Sequence, residues 1–177
     1  LLSGVGGEDR WPAMARRAEL AWAVGDRGRA LAIADSVAGS LEATDDARPR
    51  DWLALGVAYR LLGAREPAQF KDALVAIDRA IAGDSGLVEA YVRLGKLLLE
   101  KYNGPEARAA FGGALRRAPG NPPAELGLVE VAMFDGDRES FARLDKVTKA
   151  APYLARAHAL AARLDLDAEQ FAAAALA

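Results

Sequence analysis

The sequence contains no cysteine and a single histidine in 177 residues. Without cysteine there is no disulfide framework, no thiolate nucleophile and no sulfur ligand, and neither a reducing nor an oxidising compartment is excluded. With His158 as the sole imidazole, a metal site would have to be built mainly of carboxylates, and no ligand cluster occurs at helical spacing. Neither a metal nor any other cofactor is expected. Charge of one sign is also missing. The formal net charge is -2 and the pI about 5.5, which is no footprint for nucleic acid, since that partner demands a basic face. No apolar run approaches the length of a membrane-spanning helix, so membrane insertion is not expected. Strand signals are nearly absent: no stretch alternates over a strand's length, and no Asn-Gly or Asp-Gly turn separates alternating runs.

What remains is an ordinary folding composition, 52% apolar and 27% charged, in a length that suits one domain or one short solenoid. Aromatics are few and alanine is abundant. Small side chains let helix axes approach closely, and alanine has the best helix propensity. Helical periodicity runs throughout, broken every dozen or so residues by Gly, Pro or Asp. The expected fold class is all-α.

The periodicity repeats. Tyr91, Leu94, Gly95 and Leu98 are followed by Ala107, Phe111, Ala114 and Pro119. Upstream, Trp52, Leu55, Gly56 and Tyr59 have the same internal spacing and are followed by Ala73, Ile77 and Ala80. Physically, the first helix of such a unit places its aromatics and leucine on one stripe. Gly56 and Gly95 leave out a side chain where a second helix crosses, and the alanines do the same from the other helix. Phe111 fills the space between one unit and the next, and Pro119 stops the second helix. In "YNGPEA", Gly104 is expected to end one helix and Pro105 to open the next.

Trp-x-x-Leu-Gly-x-x-Tyr followed by Ala-x-x-x-Phe and Pro resembles the tetratricopeptide-repeat family, and two units match it in both halves. The resemblance implies a solenoid of about five helix-turn-helix repeats, about ten helices, in a right-handed superhelix. The repeats fall near 11–43, 49–86, 88–121, 122–152 and 153–177 of a single domain at 11–177, with residues 1–10 a flexible tail or processing remnant. In the first repeat Gly25, Ala30, Ala34 and Val37 have the spacing of a turn and second helix, and the first helix runs from Pro12 to Val24 without a Leu-Gly pair. The fourth turns at Gly136 and stops at Pro152, with Ser140 and Phe141 about where a small residue is wanted, so looser packing is expected there. The fifth is cut short. "SLEATDDARPR" reads as a loop between repeats, and "GAREPAQFK" as a longer turn within the second. The chain begins without Met and stops inside a helical pattern, which reads as a piece of something longer. The missing Met and Cys incline the reading toward an exported bacterial protein, with the compartment open.

Three local motifs invite chemistry and are better read structurally. "GDSG" at Gly83–Gly86 is similar to a serine-protease nucleophile loop, but that chemistry needs a His base and a buried Asp on a β-fold. An inter-repeat turn, with Asp84 or Ser85 capping the helix from Leu87, fits better. "GVGG" at Gly4–Gly7 lacks a preceding strand and the Lys-Ser/Thr of a phosphate loop. Arg116 and Arg117 complement a helix C-terminus. His158 is expected to be partly buried in packing. No acid-base or nucleophile constellation converges, so an enzyme is not expected.

In the family that the repeats resemble, the first helix of each repeat lines a concave groove. Projected onto this chain, the inward residues are Leu53, Val57, Arg60 and Leu61; Glu89, Val92, Arg93, Lys96 and Leu99; and Leu126, Glu130, Met133 and Phe134. The partner-binding candidates among them are Leu53, Val57, Arg60, Val92, Arg93, Lys96, Leu99, Glu130, Met133 and Phe134. Their mixture of apolar and basic side chains suits an extended or helical peptide of some acidic character, unless neighbouring chain covers them. Some repeats of the family hold a C-terminal carboxylate with Lys, Asn, Asn, Lys and Arg. At the matching positions this chain has Ala15, Glu19, Ala54, Glu89 and Arg93, so only Arg93 agrees, and that ligand is not expected.

"FKDALVAIDRAIAGDSGLVEAYVRLGKLLLEKYNGPEA" is also similar, through phrases such as "LLEKYN", to repeat segments of bacterial proteins that carry a zinc peptidase-like domain. His-Glu-x-x-His is absent. The leading expectation is a non-catalytic scaffold with a protein or peptide partner; the alternative is a spacer or regulatory accessory domain of a larger, possibly peptidase-containing, bacterial protein. Oligomeric state is not legible.

Overall fold

The computed structural model describes residues 9–44, 46–137 and 140–175, with side chains through 166. Among them lie nine α-helices and no strand: α1 (Arg10–Ala23), α2 (Arg27–Glu42), α3 (Pro49–Leu62), α4 (Gln69–Gly83), α5 (Val88–Glu100), α6 (Gly104–Arg117), α7 (Pro122–Phe134), α8 (Ser140–Ala150) and α9 (Ala155–Ala175). The chain divides into two compact units, Leu1–Leu97 and Leu98–Ala177. Of the expected tail, residues 1–8 lie outside the described residues, and Arg10 already belongs to α1. A tenth helix is not seen among the described residues. Where a truncated fifth hairpin was expected, α9 runs unbroken for 21 residues, because Ala155–Ala175 contains no glycine or proline to turn it.

The second helices follow one rule. Ala30, Ala34 and Val37 on α2, Ala73, Ile77 and Ala80 on α4, and Ala107, Phe111 and Ala114 on α6 are all essentially fully buried. Ser140, Leu144 and Val147 on α8 have the same spacing and are buried too. A helical stripe at i, i+4, i+7 is one face, so each set is a continuous buried seam. Ser140 takes the small-residue place and Phe141 is turned out and exposed; the fourth seam therefore closes rather than loosens.

In the first compact unit α1, α2, α3 and α4 pack on one another in chain order, and α1 also touches α3. One core joins Ala18, Ala34, Val37, Leu41, Leu55, Ala58 and Leu61. A second joins Leu53, Ala73, Ile77, Ala80, Ala90 and Leu97. Gly56 is required by a close approach: a methyl group there would stand 2.6 Å from Ile77 Cγ1 and 3.3 Å from the Ala73 carbonyl oxygen. In the second compact unit α6 packs on α7, α7 on α8 and α8 on α9. Gly127 of α7 lies directly under the Phe111 ring, so Phe111 fills the space above the following helix as its spacing predicts. Gly95 is buried.

Caps set the helix starts. Asp26, Asn103 and Asn121 accept backbone N–H bonds from Arg29, Glu106 and Ala124, which satisfies free donors of the first turn. Asp51, nearly fully buried, accepts from the Arg48 backbone at 3.1 Å and its guanidinium at 2.9 Å. These caps shift two expected boundaries. With Asn103 as the cap, Gly104 opens α6 instead of ending α5, and the left-handed residue of that turn is Tyr102, φ 60°. Ser40, Leu41 and Glu42, expected in a loop, extend α2, because Leu41 is buried in the core. Gly25 and Gly136 do stand in the turns assigned to them, and both are left-handed, at φ 87° and 75°.

Candidate functional site

In the first compact unit a cleft of about 440 Å³ runs along α1, α3 and α5. Each is the first helix of a hairpin. Its floor is apolar: Ala15, Leu53, Ala54, Val57 and Leu87. Leu53 and Val57 are almost wholly buried, so they present a narrow strip of surface rather than free side chains. The walls carry three cations, Arg16, Arg50 and Arg93, and three anions, Asp9, Glu19 and Glu89.

The charges are organised around Arg93. Its guanidinium makes a two-pronged pair with Glu19 of α1, 74 residues away, one arm at 2.8 Å. It also reaches Glu89, one turn earlier on α5, at 3.2 Å. Arg16 approaches Glu89 at 3.7 Å and Arg60 approaches Glu19 at 4.0 Å. Burial alone would lower the pKa of Arg93, but the charges and hydrogen bonds of Glu19 and Glu89 outweigh it and hold the pKa above its usual value. A planar guanidinium suits this fork-to-fork geometry, which a lysine cannot reproduce.

The structure thus brings Leu53, Val57 and Arg93 to one cleft, with Arg60 beside its Glu19 wall. Val92 is buried instead, and Lys96 is half-buried and engaged with a partner. Leu99, Glu130, Met133 and Phe134 belong to the second compact unit. There Met133 packs on the core of α7, α8 and α9. Glu130 accepts from Arg156 Nε at 2.6 Å, and Phe134, half exposed, lies tilted against Tyr102 with ring centroids 6.0 Å apart. Sequence reasoning missed Asp9, Arg16 and Arg50. It also took Glu19 and Glu89 as repelling a ligand carboxylate, whereas both neutralise Arg93 from within the chain. The signal was the pairing of Glu89 and Arg93 at i, i+4.

The decoy motifs resolve into structure. Asp84 accepts from the Gly86 N–H at 2.9 Å, a side-chain turn of its own loop and not a cap on α5. His158 is exposed, correcting the expected partial burial, with Nε2 3.0 Å from the Pro152 carbonyl oxygen. Ala157 is the residue that enters the core, so the register differs by one from that expected. "GVGG" lies outside the described residues. Among the described residues no cluster of acidic and histidine side chains can hold a metal ion, and no helix is long and apolar enough to cross a membrane.

No protein-family model matches the chain, and no curated protein does. Solved structures do. TTC0263, a thermophilic TPR protein of Thermus thermophilus, aligns with TM-score 0.65 and 18% identity, covering 88% of this chain and 81% of that one. MamA of Desulfovibrio magneticus, from residue 41 to its end, aligns with TM-score 0.56 and 17% identity over 97% and 92%. YrrB, described as a TPR protein with an unusual peptide-binding site, aligns with TM-score 0.54 and 23% identity over 82% and 89%. Identities this low speak to architecture alone. They join the buried seams at i, i+4 and i+7 and the glycine crossings in one conclusion: the fold of this chain is the tetratricopeptide-repeat fold.

Proposed function

We propose that the chain is a non-catalytic interaction scaffold that takes a peptide or protein segment along the cleft of α1, α3 and α5. The observation that carries this reading is the cleft itself: an apolar floor about 440 Å³ in volume, flanked by charged side chains of both signs on three successive first helices. Such a trough matches a segment that lays apolar side chains on the floor and sets an acidic group against Arg16 or Arg50, which are exposed. Leu53, Val57, Arg60 and Arg93 are the contact residues on this reading. Val92 and Lys96 of the first compact unit and, within the second, Leu99, Glu130, Met133 and Phe134 are proposed as further contact residues. YrrB, of like fold, offers a precedent for peptide binding.

A second reading has its own observation. Arg93 is already satisfied by Glu19 and Glu89, so the cleft needs no ligand to balance its charge. This favours a spacer or accessory domain of a larger protein, one bearing a peptidase domain among the candidates. Panning a random peptide library against the chain separates the two. Selected peptides that bind the parent and lose affinity at least about tenfold, about 1.4 kcal/mol, with Arg16→Glu plus Arg50→Glu establish the scaffold. No selected peptide, or equal binding by the double variant, moves the function to the spacer.

A further inference from the structure

A different stripe of α3 points to a second site. Trp52, Leu55 and Tyr59, at i, i+3 and i+7, wall a cleft of about 350 Å³ with Leu41, Glu42 and Thr44 of the α2 end and Asp72, Val75, Ala76 and Arg79 of α4. The proposed function does not use it. Its floor is apolar, two of its walls are aromatic rings, and its rim carries two carboxylates, Glu42 and Asp72, against one guanidinium. Val75 at the rim is about half exposed.

Two features show what such walls attract. The Arg79 guanidinium lies over the Trp52 ring, 4.5 Å from its centroid, so the electron-rich indole face already holds a cation. Asp72 makes no ion pair among the described residues. The second feature is the Tyr59 hydroxyl, which donates to Glu42. Burial, that hydrogen bond and the nearby charges of Glu42 and Asp72 drive its pKa far above the usual phenol value, with Arg79 opposing. Beyond the burial effect, a place that resists a new negative charge is a place that favours a positive one.

We propose that the α2–α3–α4 cleft is a binding site for an arginine side chain of a partner polypeptide, with Trp52 and Tyr59 as its aromatic walls and Glu42 and Asp72 as its counter-charges. Arginine is favoured over lysine because a flat guanidinium stacks on a ring and meets two carboxylates in one plane. Arg79 is the internal occupant of the Trp52 face, and the incoming guanidinium displaces it.

The test is an NMR titration of the labelled chain with acetyl-Gly-Arg-Gly-amide, its citrulline counterpart and free L-arginine. The expected result is saturable shifts at the Trp52 indole N–H and along Glu42, Tyr59 and Asp72, with the citrulline peptide weaker by about two- to thirtyfold, the span of a cation on an aromatic face. Arg79→Gln, at an exposed position, is expected to tighten peptide binding by vacating the ring, and Glu42→Gln plus Asp72→Asn to abolish it. Each variant's fold is checked by circular dichroism. If the carboxylate variant does not fold, the citrulline and Arg79→Gln comparisons still decide. Equal binding of arginine and citrulline peptides, no saturable shift in either the parent or Arg79→Gln, or free arginine binding more tightly than the peptide would overturn the proposal.

Discussion

Gly56 in the first compact unit and Gly127 in the second each follow a leucine on a first helix, and these two glycines face different neighbours. Gly56 of α3 is filled by Ile77 of α4, the second helix of its own hairpin, with a backbone carbonyl close behind. Gly127 of α7 is filled by the ring of Phe111 on α6, the helix that precedes it. The same two letters therefore reserve the same volume, the space of one absent side chain, and it is filled from the following helix at Gly56 and from the preceding one at Gly127. The extent of overlap differs as well. A methyl group at Gly56 would overlap one side-chain atom, Ile77 Cγ1, whereas at Gly127 it would overlap three atoms of the Phe111 ring.

The largest expected effect breaks the second crossing from its filled side. Phe111→Ala is expected to cost about 3–5 kcal/mol, because the ring is wholly buried and its removal leaves a cavity over Gly127. Urea unfolding measures it, and a loss below about 1 kcal/mol would place the ring elsewhere. Next come the glycines themselves. Adding a methyl group at Gly127 overpacks the ring, at about 1–3 kcal/mol, less the roughly 1 kcal/mol that alanine gains over glycine in a helix. Gly56→Ala is expected to cost less, since it overlaps one side-chain atom instead of three ring atoms. Phe111→Leu combined with Gly127→Ala sharpens the comparison: the pair is expected to be less harmful than the sum of the singles, with a coupling of about 0.5–3 kcal/mol. Strict additivity would mean the two residues do not meet.

The smallest effect is in pH. The folded Tyr59 hydroxyl holds its proton beyond the unfolded value of about 10. Its folded pKa is raised, so its contribution to stability is complete below the unfolded pKa and is lost as pH rises above it. Tyr59 is expected to ionise above the usual phenol range by ultraviolet absorbance, and Tyr59→Phe to flatten the alkaline decline in stability. An unchanged alkaline profile would remove the Glu42 hydrogen bond from consideration.

Much of the fold was legible because helical repeats write packing into spacing. The seams Ala30-Ala34-Val37, Ala73-Ile77-Ala80 and Ala107-Phe111-Ala114 are visible by counting, and all are buried. The fourth was harder, since Ser140 is polar yet buried, and Phe141 beside it is apolar yet exposed. Residue type suggested slack where position gave closure. The turn at Tyr102 was missed for a related reason. Glycine is the usual left-handed residue, but Asn103 has to cap α6, which leaves the preceding residue to bend. The cleft was less legible still. Its walls are set by Glu19 and Arg93, 74 residues apart in sequence, and periodicity places a residue on a face without telling which charge it will meet.

Local periodicity and side-chain size, written residue by residue, already place most of the helices, the first three seams and the crossing at Gly56. Three-dimensional packing is what puts Gly127 under the helix that precedes it. It alone turned Arg93 inward onto two glutamates rather than outward to a ligand, and it alone set Trp52, Tyr59 and two carboxylates around one cleft. Those outcomes depend on distances between residues far apart in the chain, and burial and charge act across space.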